Sequence, residues 1–368
     1  GEDNAARQAL KEELYDMFNM RALLDKHIIL LSSGELRKLK LTETLFTRPR
    51  VLIMDNPFIG LDAGTRDQLK QLFATKQEKI QIILVLSKTD DIPEFVTHVV
   101  EVKDMRVGKK MTRDEFVASH ANRDTFILDK DISDAILNLP YKNKDYNTHE
   151  VAKLNHVSIQ YGNRVILKDL DWTVLNGERW ALSGQNGAGK STLLSLICAD
   201  NPQSYACDIT LFGMARGTGE SIWDIKKHIG YVSPEMHRAY QKDIPAIRIV
   251  ASGLKDSVGL YAKPSEEEYA ICRFWMKVFG LEGKENTTFL KLSSGEQRLV
   301  LLSRAFVKDP ELLILDEPLH GLDNDNRVLA KNVIDTFMRR KNKTLIMVTH
   351  YEEELPTCID HRIKLIRH

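Results

Sequence analysis

A long-range repeat constrains this chain more than any other feature. Leu31-Ser32-Ser33-Gly34-Glu35 recurs as Leu292-Ser293-Ser294-Gly295-Glu296, an offset of 261 residues (31 to 292). VLIMDNP at Val51–Pro57 recurs as LLILDEP at Leu312–Pro318, and Gly60-Leu61-Asp62 recurs as Gly321-Leu322-Asp323, both at the same 261. The apolar strand ending at Ser87 matches the one ending at His350 at an offset of 263. Four elements in register predict a duplicated domain, not a short-period solenoid.

The second copy has upstream elements that the first lacks. Its start near Val151 maps to a position about 110 residues before Gly1, so the first copy reads as the back part of a domain whose front is missing from this sequence. The expected organisation is an incomplete first domain at 1–107, a linker at 108–150 and a complete second domain at 151–368. The linker holds seven Lys/Arg and eight Asp/Glu. A short helix is expected around Asp114–His120, and the polar run Pro140–His149 reads as a turn-rich connection.

Arg179–Ser183 (RWALS) reads as a buried strand and Thr192–Cys198 as a helix. Between them lies Gly184-Gln185-Asn186-Gly187-Ala188-Gly189-Lys190-Ser191. Strand, glycine loop and helix is the setting that GxxxxGK[ST] requires. The glycines let successive N–H groups point into one cavity, and the helix N-terminus adds about half a positive charge. Lys190 is placed to reach the β- and γ-phosphates of a nucleotide, and the Ser191 hydroxyl to bind Mg²⁺. A plain glycine-rich turn is the competing reading. The match at every fixed position, with the right flanks, favours phosphate binding.

Leu312–Leu315 is a continuous apolar run, as a parallel strand buried on both faces should be. Asp316 and Glu317 stand at its carboxyl end, where open α/β sheets bind ligands. Alternation turns the two carboxylates in different directions, Asp316 toward the metal shell and Glu317 toward an attacking water. His350 follows the strand Thr344–Thr349, where an imidazole can hydrogen-bond a γ-phosphate. The first copy has Asn56 and Ser87 at the positions of Glu317 and His350, so a site using that strand should hydrolyse slowly or not at all.

Together these residues resemble the ATP-binding-cassette (ABC) ATPases. LSSGE at Leu31–Glu35 and at Leu292–Glu296 is similar to the signature motif, GQNGAGKS to Walker A, LLILDEP to Walker B, Gly321-Leu322-Asp323 to the D-loop and His350 to the switch histidine. Tyr161 resembles the aromatic that stacks on adenine. The tandem layout and the stretch Glu220–Ser233 are most similar to the ModF-type, molybdate-transport-associated (photorepair-type) ATPases. The fold this implies is α/β: two tandem P-loop NTPase domains, each a mostly parallel sheet with flanking helices and a helical subdomain, the first incomplete.

The resemblance also implies head-to-tail pairing of domains, intramolecular or intermolecular, with ATP sandwiched between them. Nucleotide contacts would come from Gly184 to Ser191, Thr192 and Tyr161, Mg²⁺ ligands from Ser191 and Asp316, and catalysis from Glu317, His350 and Lys190. Ser32, Ser33, Gly34 and Glu35 would complete that hydrolytic site. Ser293, Ser294, Gly295 and Glu296 would complete a second, degenerate one, and Asp323 would be a further nucleotide-binding residue. One departure stands out: the family's Q-loop glutamine would fall near Pro234, and Glu235 stands beside it instead.

Composition narrows the function. Lys plus Arg and Asp plus Glu are both 52, so there is no strong nucleic-acid signal. The longest apolar runs are strand-length, well short of the roughly 18 residues of a membrane span, so any membrane role is expected to be peripheral. Four cysteines without CxxC spacing argue against a zinc or redox site and fit a reducing cytosol. The expected function is ATP binding and hydrolysis as the ATP-binding component of an ABC transporter, molybdate-related, with ATP/ADP as ligand and an unidentified membrane permease as partner. The expected location is cytoplasmic, at the inner face of the membrane. The alternative is a tandem ABC protein acting on ribosomes or nucleic acid, which the short, charge-balanced linker disfavours.

Overall fold

The computed structural model describes the chain apart from residues 1, 19, 25–32, 48, 59, 60, 62, 77–79, 88, 104, 121–127, 241, 242, 257–262 and 368; at 2–7, 22, 23, 33, 34, 37, 63, 90 and 238 it describes the backbone alone. The chain divides into two units, Gly1–Arg123 and Asp124–His368.

The first unit runs α1 (Glu2–Met17), α2 (Ser33–Phe46), β1 (Val51–Asp55), α3 (Ala63–Lys76) and β2 (Gln81–Val85). β1 and β2 pair in parallel, with Asp55 opposite Val85. Two small antiparallel pairs follow, β3 (His98–Val99) with β6 (Met111–Thr112) and β4 (Val102–Lys103) with β5 (Arg106–Val107), and then α4 (Arg113–His120). Leu14, Leu45, Leu52, Leu69 and Phe73 form the core.

The second unit opens with α5 (Lys130–Leu137) and a long hairpin, β7 (Glu150–Tyr161) and β8 (Arg164–Leu175). With β10 (Asp208–Leu211) and β11 (Met214–Ala215) the hairpin forms a four-stranded antiparallel sheet ordered β11-β10-β7-β8. A five-stranded parallel sheet is built from β9 (Arg179–Gly184), β12 (Ile229–Val232), β13 (Leu312–Asp316), β14 (Thr344–Val348) and β15 (His361–Leu365), ordered β12-β13-β14-β9-β15. The helices are α6 (Lys190–Ile197), α7 (Ile222–Lys226), α8 (Pro234–Ala239), α9 (Ala246–Ser252), α10 (Glu266–Val278), α11 (Ser294–Phe306) and α12 (Asn324–Met338).

β13 shows why its sequence is apolar at every position. Leu313 and Leu315 enter a core with Val250, Trp275, Leu301 and Phe337 of α9 to α12. Leu312 and Ile314 enter a second core with Leu193 of α6 and Val151 and Trp172 of the antiparallel sheet. β14 divides the same way, Leu345 and Met347 on one face, Ile346 and Val348 on the other. The sheet is therefore covered on both sides, which is what a parallel sheet needs.

The repeat is structural as well as textual. α2, β1, α3 and β2 follow one another as α11, β13, α12 and β14 do, and Asp55 pairs with Val85 as Asp316 pairs with Val348. Burial differs. Leu312, Ile314, Ile346 and Val348 are fully buried, whereas Val51, Ile53, Ile83 and Val85 at the matching positions are 45%, 68%, 42% and 51% exposed. Among the described residues the first unit has no counterpart of α6 or of the β7–β8 hairpin that cover this face in the second.

The segment expected as a linker is largely folded. The helix anticipated at Asp114–His120 is α4, in the first unit, and α5 belongs to the second, with Ile136 fully buried in its core. The turn-rich stretch after α5 is fastened to the turn between α12 and β14. Arg340 Nη2 donates to Leu139 O at 2.8 Å, Lys341 N to Tyr141 Oη at 3.0 Å and Asn342 Nδ2 to Tyr146 O at 3.0 Å.

The two faces make a direct prediction. Ile314→Ala should cost roughly 2–5 kcal/mol of stability, through lost burial and a residual cavity. Urea unfolding followed by circular dichroism measures it, and a loss of no more than about 0.5 kcal/mol would contradict the burial of Ile314.

Candidate functional site

β9 ends at Gly184 and α6 begins at Lys190, so the glycine-rich segment is a loop leading from strand to helix N-terminus. Two glycines are required by space and by backbone conformation. At Gly184 (φ 148°) a Cβ would lie 2.7 Å from Leu365 O, and at Gly189 (φ 94°) one would lie 2.9 Å from Leu167 Cδ2. Lys190 is buried, and its Nζ donates to Gly184 O at 2.7 Å and Gln185 O at 3.1 Å, so the ammonium folds back across the loop. Gln185, Asn186, Gly187 and Ser191 are exposed, Thr192 is half-buried, and Ala188 is buried in the loop floor. The first N–H groups of α6 have no acceptor within the helix and are available to an anion.

β14 lies between β9 and β13, so the loop and the two carboxylates share the carboxyl edge of the parallel sheet. Burial pushes the Asp316 carboxyl up to about 7; Glu317 and Glu235 add to the rise, and Lys190 and Arg298 oppose it. Glu317 has left-handed backbone (φ 51°), held by its N–H donating to Val348 O at 2.9 Å and by Arg298 Nη1 donating to its carbonyl oxygen at 3.3 Å. Its two carboxylate oxygens are buried without a hydrogen bond. His350 Nε2 lies 3.4 Å from Oε1 and His320 Nδ1 3.8 Å from Oε2. Burial presses this carboxyl upward, but the imidazoles of His320 and His350, with Lys190, outweigh it and hold it below the usual carboxylate range.

The donor set fits Mg²⁺. Asp316 and the Ser191 hydroxyl are hard oxygen donors, and Mg²⁺ commonly takes one or two carboxylates and fills its shell with phosphate oxygens and water. The crowding that raises Asp316 is also the charge imbalance that a divalent cation relieves.

In the first copy the same backbone carries different chemistry. Asn56 is also left-handed (φ 45°), and its N–H donates to Val85 O at 2.8 Å, as Glu317 does to Val348. Its Oδ1 accepts from Ser87 N and Ser87 Oγ, both at 3.0 Å, and its Nδ2 donates to Asp55 Oδ1 at 3.1 Å. The amide is closed onto its neighbours and offers no basic oxygen.

The other expected residues are placed as follows. Tyr161 sits at the tip of the β7–β8 hairpin, opposite Arg164, with half its surface exposed. Arg164 Nη2 reaches Gly187 O at 3.4 Å, so the hairpin tip adjoins the phosphate loop. Ser293 and Glu296 are engaged with each other: Ser293 Oγ accepts from Glu296 N at 3.2 Å and Glu296 Oε2 from Ser293 N at 2.8 Å, a reciprocal cap that starts α11. Ser294 and Gly295 form the first turn of that helix. Asp323 caps α12, accepting from Asn326 N at 2.8 Å. Ser32 lies outside the described residues. Ser33 and Gly34, described by backbone alone, form the first turn of α2 together with Glu35. Glu235 is exposed in the first turn of α8, and its charge reaches Asp316.

Sequence reasoning passed over Arg298 and His320. Arg298 is one more polar position in a helix and carries no local signal. His320 does have one: Ile59 stands at its position in the first copy, the copy that also lacks Glu317 and His350.

Residues 167–320 match the family described as "ABC transporter". The chain is 38% identical to the ABC transporter ATP-binding protein ModF of Escherichia coli, over all of this chain and 78% of that protein. It is 31% identical to an uncharacterized ABC transporter ATP-binding protein of Schizosaccharomyces pombe, over 98% of this chain and 73% of that one. Among solved structures it is similar in fold to RNase-L Inhibitor, with a TM-score of 0.63 at 16% identity, over 96% of this chain and 65% of that one. The chain belongs to the ABC ATP-binding proteins: it is an ABC ATPase that binds ATP and ADP and pairs with another ABC domain.

The crowded carboxylates predict a pH effect. Asp316 ionises near 7 in the folded protein and near 3.8 as a free side chain, so between those values the folded chain binds more protons and stability falls as pH rises. Asp316→Asn should remove that loss and stabilise the nucleotide-free protein at pH 8 by on the order of 1–4 kcal/mol. Thermal unfolding at pH 8 and pH 5 checks it: the gain should shrink at pH 5, and a destabilised variant at pH 8 would contradict the electrostatics.

Proposed function

We propose that this ABC ATPase hydrolyses ATP at the phosphate loop of its second copy, as the ATP-binding component of an ABC transporter. The observation that carries the catalytic part is the Glu317 carboxylate: buried, favoured in its ionised form, with both oxygens lacking hydrogen bonds, on the strand edge it shares with Lys190. The triphosphate enters against the N-terminus of α6, and Lys190 exchanges the carbonyl oxygens of Gly184 and Gln185 for phosphate oxygens. Ser191 and Asp316 would hold Mg²⁺, which neutralises phosphate charge when bound. Glu317 orients a water in line with the γ-phosphorus and accepts its proton as the bond to the bridging oxygen breaks. His350, beside Glu317, hydrogen-bonds the γ-phosphate and registers its departure. Tyr161 offers its exposed ring to the base, and a signature segment of the paired ABC domain covers the γ-phosphate. A site built on Asn56 and Ser87 hydrolyses slowly or not at all.

The transport part rests on similarity to the bacterial relative and on the tandem layout. Its partner would be a membrane permease with molybdate-related cargo, and its location the cytoplasmic face of the membrane. No helix among the described residues is long and apolar enough to cross a membrane. Glu235, at the place of the Q-loop glutamine, would take that residue's metal-side position.

Glu317→Gln should retain ATP affinity while lowering kcat by at least about 100-fold, the usual scale for a lost general base. Steady-state phosphate release and calorimetric titration measure the two, and a variant keeping most of its turnover would remove Glu317 from this role. Lys190→Ala should abolish the thermal stabilisation given by Mg-ATP. Affinity capture from native membranes should recover a permease; recovery of ribosomes instead would overturn the transport assignment.

A further inference from the structure

The turn that leaves α6 carries a buried side chain that the mechanism above does not use. Asn201 is 6% exposed, and all its hydrogen-bonding groups are occupied. Its Nδ2 donates to Tyr161 Oη at 3.0 Å and to Ser195 Oγ at 3.2 Å, and its Oδ1 accepts from Gln203 N at 3.0 Å. Its own N–H donates to Ser195 O at 3.1 Å, and Ser195 Oγ donates to Thr192 O at 2.7 Å, inside the helix that starts at Lys190. A second tie runs parallel to the first: Gln203 Nε2 donates to Gln160 O, the residue before Tyr161, at 3.2 Å.

These contacts have a mechanical consequence. A half-exposed tyrosine at a hairpin tip would ordinarily sample several orientations, and a ligand stacking on it would have to select one. Here the hydroxyl is held by a buried amide while the ring remains exposed. Both donor hydrogens of Asn201 Nδ2 are committed inside the unit, so it has no side-chain donor left with which to read a base itself. The helix that begins in the phosphate loop thus leads, through its exit turn, to the group that holds the ring.

We propose that Asn201 is a positioning residue that locks Tyr161 as the platform for the nucleotide base, setting affinity for the nucleoside part of ATP without affecting the grip on the triphosphate. This rests on the reading that Tyr161 meets the base, and the test separates the two.

The experiment uses the full chain and measures binding of Mg-ATP and of Mg-tripolyphosphate, which has no base. Tyr161→Phe keeps the ring and removes only the anchored hydroxyl. It and Asn201→Ala should each weaken Mg-ATP binding about three- to tenfold, the scale of one hydrogen bond. The double variant should be no weaker than the poorer single one, because both changes break the same contact. Tripolyphosphate affinity should stay within about twofold in all of them, and Tyr161→Phe should raise KM while leaving kcat unchanged. Should Asn201→Ala fail to fold, Tyr161→Phe alone decides. Unchanged ATP affinity in Tyr161→Phe, or losses that multiply in the double variant, would overturn the proposal. Tyr161→Ala distinguishes the deeper failure: if it weakens ATP while Tyr161→Phe does not, the ring is a platform but Asn201 does not set it; if it too has no effect, the base-stacking reading falls as well.

Discussion

The second unit is organised around charge that it cannot neutralise by itself. Two carboxylates, Asp316 and Glu317, are buried side by side at the end of β13, and both feel the ammonium of Lys190. Burying such groups costs free energy unless partners compensate. The compensation is incomplete: Asp316 is driven toward its protonated form, and the oxygens of Glu317 have imidazoles nearby but no hydrogen bond. A site in this condition gains from a ligand that brings a cation and phosphates together. The two cores on either face of the parallel sheet supply the rigidity that keeps these charges in place.

Comparison of the two copies shows which parts of the arrangement are architectural. The left-handed turn after the strand is common to Asn56 and Glu317, with the same backbone hydrogen bond to the neighbouring strand. That conformation strains a glutamate more than an asparagine, whose short side chain suits left-handed backbone. The second copy tolerates the strain and places a buried carboxylate there. The first relaxes it and ties the amide to Ser87. Loss of the imidazole and loss of the carboxylate therefore belong together, since a hydroxyl in place of His350 can satisfy an amide directly.

Much of this was legible in the sequence, for identifiable reasons. The repeat, the phosphate loop and the apolar strands depend on local residue types at fixed spacing, so β9, α6, β13 and β14 appear where the pattern put them. What the pattern could not convey was burial that depends on distant neighbours. Leu312 and Ile314 read as a buried strand, but that their cover comes from α6 and the long hairpin, more than a hundred residues upstream, is shown by the fold alone. Asn201 was equally unreadable, because its partner Tyr161 is 40 residues away and joined to it only by folding. The linker misled in the opposite direction: its polar composition hid Ile136 and the ties from Arg340, Lys341 and Asn342.

The signature segment shows how one short motif serves two purposes. Ser293 and Glu296 complete the start of α11, and Asp323 does the same for α12, so these side chains are occupied by hydrogen bonds within the unit. Their presence at fixed spacing is explained by helix initiation alone. Initiation leaves the exposed Ser294 hydroxyl and the neighbouring Gly295 at the helix N-terminus, where unpaired N–H groups favour an anion. The capping pair fixes the direction of that terminus, and the residues between its members are those able to meet a phosphate. The capping pair thus brackets the two residues that open the helix. Replacing Ser293 would disturb the helix before it disturbed any ligand, whereas replacing Ser294 would leave the cap intact.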